Sequence, residues 1–470
     1  MNQQLNNDLQ QLDALFDTIR AQAVDYLQRL DTRPTSTFHT THYDDVLEVD
    51  GKGSLAALAE FNRRFEPLMV AASGPRYWGF VTGGTTPAAM MGDWLTSVYD
   101  QNTQSSVGDG DISARIEFET IQLLLDLLVL PKDFFGGFVT GAMMSNFTGL
   151  AVARQWLGRQ YGKDFAREGV SEALPVLSAM PHSSSIKALS LLGIGSNQLR
   201  KIKTLDGNRE AMDLADLERE ILCLNGAPFI LISSAGTVNT VDFDDFVGIA
   251  QLRQKYTFWW HIDAAFGGFA RCSRDHQHLL NGWEGADSIT VDCHKWLNVP
   301  YESAVFFVKE KHGVAQVETF QNSNAPYLGD PKTCFNYLNM LPENSRRLKA
   351  LPAWFTLKAY GKRGMQDIVE NNIRLAQQLG AFIAQSEAFC LLAPVRLNTV
   401  CFGLTGVNDA GVVASFLQKL NATGKVFMTP TSYQGTPGMR AALVNWRTRD
   451  EDIAIVIQLM LAVVEGRDIR

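Results

Sequence analysis

TFWWHIDAAFGGF (257–269) and DSITVDCHKWLNVP (287–300) are the stretches that decide the fold. Each opens as an apolar run of strand length and closes on charged or small residues. A run that is apolar at every position suits a strand buried in a sheet covered on both faces. Working outward, similar runs lie at 136–139, 228–232 and 304–308, each bounded by Gly, Asp, Ser or Pro. Segments 114–130 and 145–161 carry helical periodicity between them. Strands alternating with helices predict an α/β domain around a mixed, mostly parallel sheet.

Beyond this core, the 26-residue stretch 320–345 holds three prolines and many polar residues, which suggests a functional loop or lid. After it, a helix (364–384), strands (390–393, 399–404), a helix (409–420), strands (425–429, 439–444) and a last helix (449–464) make a small α+β unit. At the other end, Leu5, Leu9, Leu12, Phe16, Ile19, Ala23, Tyr26 and Leu30 form one apolar helical face, which needs its own chain or a partner subunit to pack against. The organisation predicted is an N-terminal helical segment (1–100), a large domain with its loop (101–345) and a small domain (346–470).

Composition narrows the function. The 470 residues carry 42 Lys and Arg against 50 Asp and Glu, a net charge of −8, so there is no basic footprint for nucleic acid or an anionic membrane. Six scattered cysteines include no CxxC pair. The longest apolar stretch, 453–464, is shorter than the ~20 residues of a membrane span. The start, MNQQLNNDLQ, has no signal-peptide pattern. A cytoplasmic protein is expected. His39 with His42 and His276 with His278 lack a third ligand, so no metal site is expected.

Three polar clusters close predicted strands, where open α/β sheets place their sites. His261-Ile262-Asp263-Ala264-Ala265 puts a carboxylate at the end of an aromatic run. Asp292-Cys293-His294-Lys295-Trp296 puts a lysine among apolar neighbours, which can lower its proton affinity. Thr140-Gly141-Ala142-Met143-Met144-Ser145-Asn146 opens a helix with small residues whose backbone N–H groups can hold a phosphate. An amine for an imine, a carboxylate for a pyridine nitrogen and an anion cradle are what pyridoxal 5′-phosphate requires.

HIDAAFGGF followed by DSITVDCHKWLNVP resembles the signature of the group II pyridoxal-phosphate-dependent amino-acid decarboxylases, which include the aromatic-L-amino-acid, histidine and glutamate decarboxylases. PHSSSIKA (181–188), SAGT (234–237) running to Asp244, and Arg440 with Asn445-Trp446-Arg447-Thr448 extend the likeness from about residue 70 to the carboxy terminus. The resemblance implies a PLP-dependent transferase-like (fold type I) large domain and a homodimer with shared active sites.

It also implies that Lys295 carries the cofactor as its imine, Asp263 pairs with the pyridinium nitrogen and His182 stacks on the ring. Thr140, Ala142, Met143, Asp292 and His294 would lie near the phosphate and Thr237 near the ring. The chain departs from the family at Met143 and Met144, where small residues are frequent, and at Asp292 and Cys293, where Asn then Pro or Ala are frequent. A carboxylate at 292 repels a phosphate unless protonated or turned away; Cys293 reads as a small buried filler.

The implied reaction is decarboxylation of an L-amino acid to its amine, with the proton at Cα supplied from loop 320–345. Tyr337 is the candidate acid there; Phe335 and Asn336 compete for the same position, and aldehyde-forming members carry phenylalanine at it. Aldehyde synthesis, another lyase or aminotransfer on the same fold are the alternatives. In PRYWGF (75–80), Trp78 and Phe80 suggest room for an aromatic substrate, and Thr429, Tyr433 and Gln434 are further candidates near the site.

Overall fold

The apolar runs become the centre of a seven-stranded sheet. The structure, a computed structural model, describes residues 2–38, 46–104, 112–321 and 336–467, so His39, His42 and positions 322–335 of the loop lie outside the described residues. The strands are β1 (Phe134–Val139), β2 (Val176–Ser178), β3 (Leu199–Lys201), β4 (Phe229–Ser234), β5 (Phe258–Asp263), β6 (Ser288–Asp292) and β7 (Ala304–Lys309), in the order β1-β7-β6-β5-β4-β2-β3. β7 runs antiparallel to β1 and β6, and the other pairs are parallel. The carboxyl ends of β1, β4, β5 and β6 therefore meet at one edge.

Side chains alternate across a strand, so both faces of β5 need cover. Phe258, Trp260 and Ile262 enter one apolar core, and Trp259 enters the other. His261 and Asp263 share the face of Trp259, on which the helix Ala142–Gln160 lies against β5, β6 and β7. β2 and β3, three residues each, are too short to show a period and were not foreseen.

A second, antiparallel sheet has the order β10-β11-β9-β8, built from β8 (Phe389–Leu391), β9 (Thr399–Leu404), β10 (Thr429–Tyr433) and β11 (Thr436–Ala442). The strand expected at 425–429 lies later, at the polar edge sequence Thr429–Tyr433. The apolar run before it is buried elsewhere: Phe427 exchanges backbone hydrogen bonds with Arg76 and Trp78 at 3.1 and 2.8 Å. The helix expected at 364–384 starts earlier, spanning Ala350–Gln385 with a break at Gly361, whose φ of 59° suits glycine.

The amino-terminal helix is two, Gln3–Gln10 and Leu12–Gln28, and the first part of its apolar face is uncovered, with Leu5, Leu9 and Phe16 62%, 66% and 56% exposed, while Tyr26 donates to the Val70 carbonyl at 2.8 Å and Leu30, just beyond, is buried. Among the described residues no helix is long and apolar enough to cross a membrane.

One buried ion pair ties the segment after the loop to the sheet. Arg346 Nη2 donates to Glu117 Oε1 at 2.6 Å and to the Phe138 carbonyl at 2.7 Å, while Glu117 Oε1 also accepts from Phe138 N at 2.7 Å. Replacing Arg346 by Leu strands a buried carboxylate, and the expected loss is about 3–5 kcal/mol of unfolding free energy. Urea unfolding checks this; a loss below about 1 kcal/mol contradicts it.

Candidate active site

At the shared strand edge lies a cavity of about 260 Å³, lined in part by His182, Thr237, Asp263, Lys295, Glu210 and Arg440. These polar groups arrive from β5 and β11 and from the segments that follow β2, β3, β4 and β6. Apolar lining comes from Phe80, Val81, Pro181 and Phe266. Phe80 and Val81 hold φ of 55° and 58°, an uncommon conformation for side chains of this size and a mark of backbone strain at a site.

Asp263 ends β5 and is only 8% exposed. Its Oδ2 accepts from Asn146 Nδ2 at 3.0 Å and from the Ser185 hydroxyl at 3.4 Å, and its Oδ1 accepts from Ala265 N at 3.2 Å. His182 caps the helix Ser183–Leu191, its Nδ1 accepting from Ser184 N at 3.2 Å. Burial, aided by the positive charges of Lys295 and Arg440 and opposed by Asp263, holds its proton affinity below the usual histidine value.

Lys295 follows β6, and its Nζ lies 2.7 Å from Asp292 Oδ2. Asp292 is thus turned to the amine. His294 Nε2 lies 3.7 Å from the same oxygen, and burial keeps this imidazole below its ordinary proton affinity. Close packing holds the turn: a Cβ on Gly83 would sit 1.7 Å from the Lys295 carbonyl oxygen. Cys293 is fully buried, and desolvation pushes its thiol far up, as a filler requires.

Thr140 and Gly141 link β1 to the helix Ala142–Gln160, whose start has no side-chain cap. The first N–H groups of a helix lack intrahelical partners and attract an anion. His294 is brought to this point, since a Cβ on Gly141 would lie 3.6 Å from its Cε1. Thr140, Ala142, Met143 and His294 thus sit together, one edge away from Lys295. The Thr237 hydroxyl donates to Glu210 Oε2, which also accepts from Thr240 at 2.6 Å.

Two of the aromatic candidates lie away from the cavity in this chain. Tyr337 is fully buried under β1, against Gly137 and beneath the Arg346 guanidinium 4.6 Å from its ring centre, and does not line the cavity. Trp78 is a core side chain, 1% exposed, with Nε1 donating to the Pro75 carbonyl at 2.8 Å. Phe80 is at the rim, 61% exposed. Tyr433 and Gln434 line a neighbouring cavity of about 570 Å³ that shares Met180 and Glu210 with the first, and Thr429 lines neither.

Glu210 enters the site without having been singled out, and Asn146 and Arg440, both named within longer motifs, enter it without a role having been given to them. Asn146 ends the Thr140–Asn146 cluster, one helical turn inside its helix, which was the available signal. Arg440, on β11, is mostly buried; its Nη1 donates to the Val238 carbonyl at 3.1 Å, and its Nε has no hydrogen-bond partner among the described residues. This donor set suits a phosphorylated aldehyde with a basic ring nitrogen: a buried amine, a carboxylate held by three donors, and an uncapped helix start beside a histidine.

Comparison with known proteins agrees. The chain is 25% identical over 463 residues to an aromatic-L-amino-acid decarboxylase of Bacillus atrophaeus, covering 94% of this chain and 93% of that one. It is 25% identical over 430 residues to a phenylacetaldehyde synthase of a Rosa hybrid cultivar, covering 84% and 81%. Its fold matches that of Oryza sativa TDC with PLP and tryptamine at a TM-score of 0.88, with 19% identity and coverage of 98% and 99%. Residues 51–405 match the pyridoxal-dependent decarboxylase conserved domain, and the chain belongs to that family of pyridoxal 5′-phosphate enzymes.

Proposed function

We propose that the protein removes the α-carboxylate of an aromatic L-amino acid as carbon dioxide and releases the amine. The observation that carries this reading is the meeting of Lys295, Asp263, His182 and Arg440 in one cavity. When bound, pyridoxal 5′-phosphate supplies an electron sink for the pair left at Cα by bond cleavage. Lys295 anchors the cofactor through its amine. Asp263 accepts the hydrogen of the ring nitrogen and keeps that proton in place. His182 covers the ring, and Thr237 borders it. The backbone around Thr140, Ala142 and Met143, with His294, holds the phosphate.

Arg440 then receives the substrate carboxylate. A buried guanidinium with an unused N–H is costly until an anion completes it, so this contact fixes which bond at Cα is aligned for cleavage. Phe80, Val81 and Phe266 exclude water, and a carboxylate deprived of hydration is lost more readily as neutral carbon dioxide. The exposed ring of Phe80, 5.6 Å from that of Phe427, offers an apolar wall to an aromatic side chain.

The proton delivered to Cα needs an acid. Tyr337 is anchored in the core, and the loop 320–345 has one other tyrosine, Tyr327, at a position outside the described residues. We assign the proton to Tyr327. A second reading, oxidative conversion to an aldehyde, is favoured by the similarity to the Rosa phenylacetaldehyde synthase. That reaction consumes dioxygen and water and yields aldehyde, carbon dioxide, ammonia and peroxide.

One assay separates these: carbon dioxide, amine, ammonia and peroxide measured over a panel of L-amino acids. Amine from aromatic substrates is expected, with none from Lys295→Ala. Tyr327→Phe is expected to divert product to aldehyde with peroxide and ammonia, and Tyr337→Phe to leave the partition unchanged. Amine formation untouched in Tyr327→Phe would overturn the donor assignment, and carbon dioxide from no amino acid would overturn the reaction.

The exposed face of the two amino-terminal helices argues for a homodimer, since Leu5, Leu9 and Phe16 form one apolar stripe in water. Sedimentation velocity is expected to show a dimer in the micromolar range that Leu5→Glu with Leu9→Glu weakens at least tenfold. A parent protein that sediments as a monomer contradicts this.

A further inference from the structure

Behind Asp263 runs a file of wholly buried polar side chains that no step above uses. Trp259 Nε1 lies 2.9 Å from Ser288 Oγ, which lies 2.7 Å from His261 Nδ1. His261 Nε2 lies 2.9 Å from Asn146 Oδ1, and Asn146 Nδ2 lies 3.0 Å from Asp263 Oδ2. Trp259, Ser288, His261 and Asn146 are each 0% exposed. We propose that His261 is a positioning residue that acts through Asn146 to keep a hydrogen-bond donor aimed at Asp263, with Trp259 and Ser288 locking the imidazole in the one tautomer that can do so.

The direction of every bond follows from the two ends. An indole N–H can only donate, so Ser288 Oγ accepts from Trp259 and has its own hydrogen free for His261 Nδ1. With Nδ1 accepting, the ring proton sits on Nε2 and is donated to Asn146 Oδ1. The amide oxygen is thereby committed to His261, which leaves Nδ2 facing Asp263. From the other end, a carboxylate tolerates only a donor, which again puts Nδ2 toward Asp263. The two deductions meet at a neutral imidazole, and burial lowers the His261 pKa to about 4.

The backbone supplies the geometry. His261 and Asp263 share one face of β5, and Ser288 is the registered partner of His261 on β6. Asn146 reaches both from the helix Ala142–Gln160 because Gly149, one turn on, has no side chain; a Cβ there would lie 3.1 Å from the His261 ring. Breaking the file frees the Asn146 amide to turn, and its oxygen would then confront the carboxylate.

The inference rests on the reading that Asp263 meets the ring nitrogen of pyridoxal 5′-phosphate. Its test compares His261→Leu, which breaks the file, with His261→Gln, whose amide can still accept from Ser288 and donate to Asn146. Apo protein is titrated with pyridoxal 5′-phosphate and followed by visible absorbance, beside thermal unfolding of the apo form.

His261→Leu is expected to weaken cofactor binding about tenfold and to shift the band of the bound cofactor. His261→Gln is expected to restore both to within threefold. Should the Leu variant fail to fold, Ser288→Ala is expected to weaken binding at least threefold with the His261 ring kept. A parent band that depends on Lys295, with Leu, Gln and Ala variants binding like the parent and differing only in melting temperature, overturns the inference alone. No such band in the parent overturns the reading beneath it and this inference together.

Discussion

A carboxylate that must stay an acceptor inside a nearly dry site is the constraint around which this protein is arranged. Asp263 is 8% exposed, and burying an ion costs several kcal/mol unless fixed donors replace its water. Three donors do so from three places: Asn146 on the covering helix, Ser185 on the helix that His182 caps, and the backbone N–H of Ala265. Each of these elements is held for other reasons by apolar packing. The site therefore inherits the rigidity of the double-covered sheet.

Charge elsewhere in the cavity is handled in the same way. Lys295 and Asp292 neutralise one another at 2.7 Å, so neither is a lone buried ion. Glu210 is held by the hydroxyls of Thr237 and Thr240. Arg440 is the exception: one N–H lacks a partner among the described residues. A cation with an unused N–H facing the cavity is a place for a substrate anion. The strained backbone at Phe80 and Val81 shapes the opposite wall.

Much of this was legible in the sequence, and the reasons are local. β4, β5, β6 and β7 are buried and rich in apolar residues, so their runs stand out whatever they pair with. His261 to Ala265 and Asp292 to Trp296 put their chemistry on consecutive residues at strand ends. Glu210 was not legible and Arg440 was legible only as part of a family-like segment, because what makes them notable is tertiary: a glutamate reached by two threonines and an N–H on an inner strand without a partner among the described residues. Asn146 lies 117 residues from the carboxylate it serves. Tyr337 and Trp78 carry the opposite ambiguity. An aromatic residue with a polar atom reads equally as a site group or a core group, and here Arg346 and the Pro75 carbonyl claim them for the core. The helical spacing of the amino-terminal apolar residues was read as needing either the chain itself or a partner subunit to pack against, and the exposure of Leu5, Leu9 and Phe16 leaves that need in place for the first part of the face.

The central claim is that Asp263 serves the reaction by keeping a proton on the ring nitrogen of the cofactor. It is tested most directly with Asp263→Ala loaded in turn with pyridoxal 5′-phosphate and with its ring-N-methylated form, whose positive charge needs no proton. Carbon dioxide release is expected to fall at least a hundredfold with the ordinary cofactor and to recover at least tenfold with the methylated one. Equal rates from the two cofactors, or near-parent activity with the ordinary one, would contradict the account.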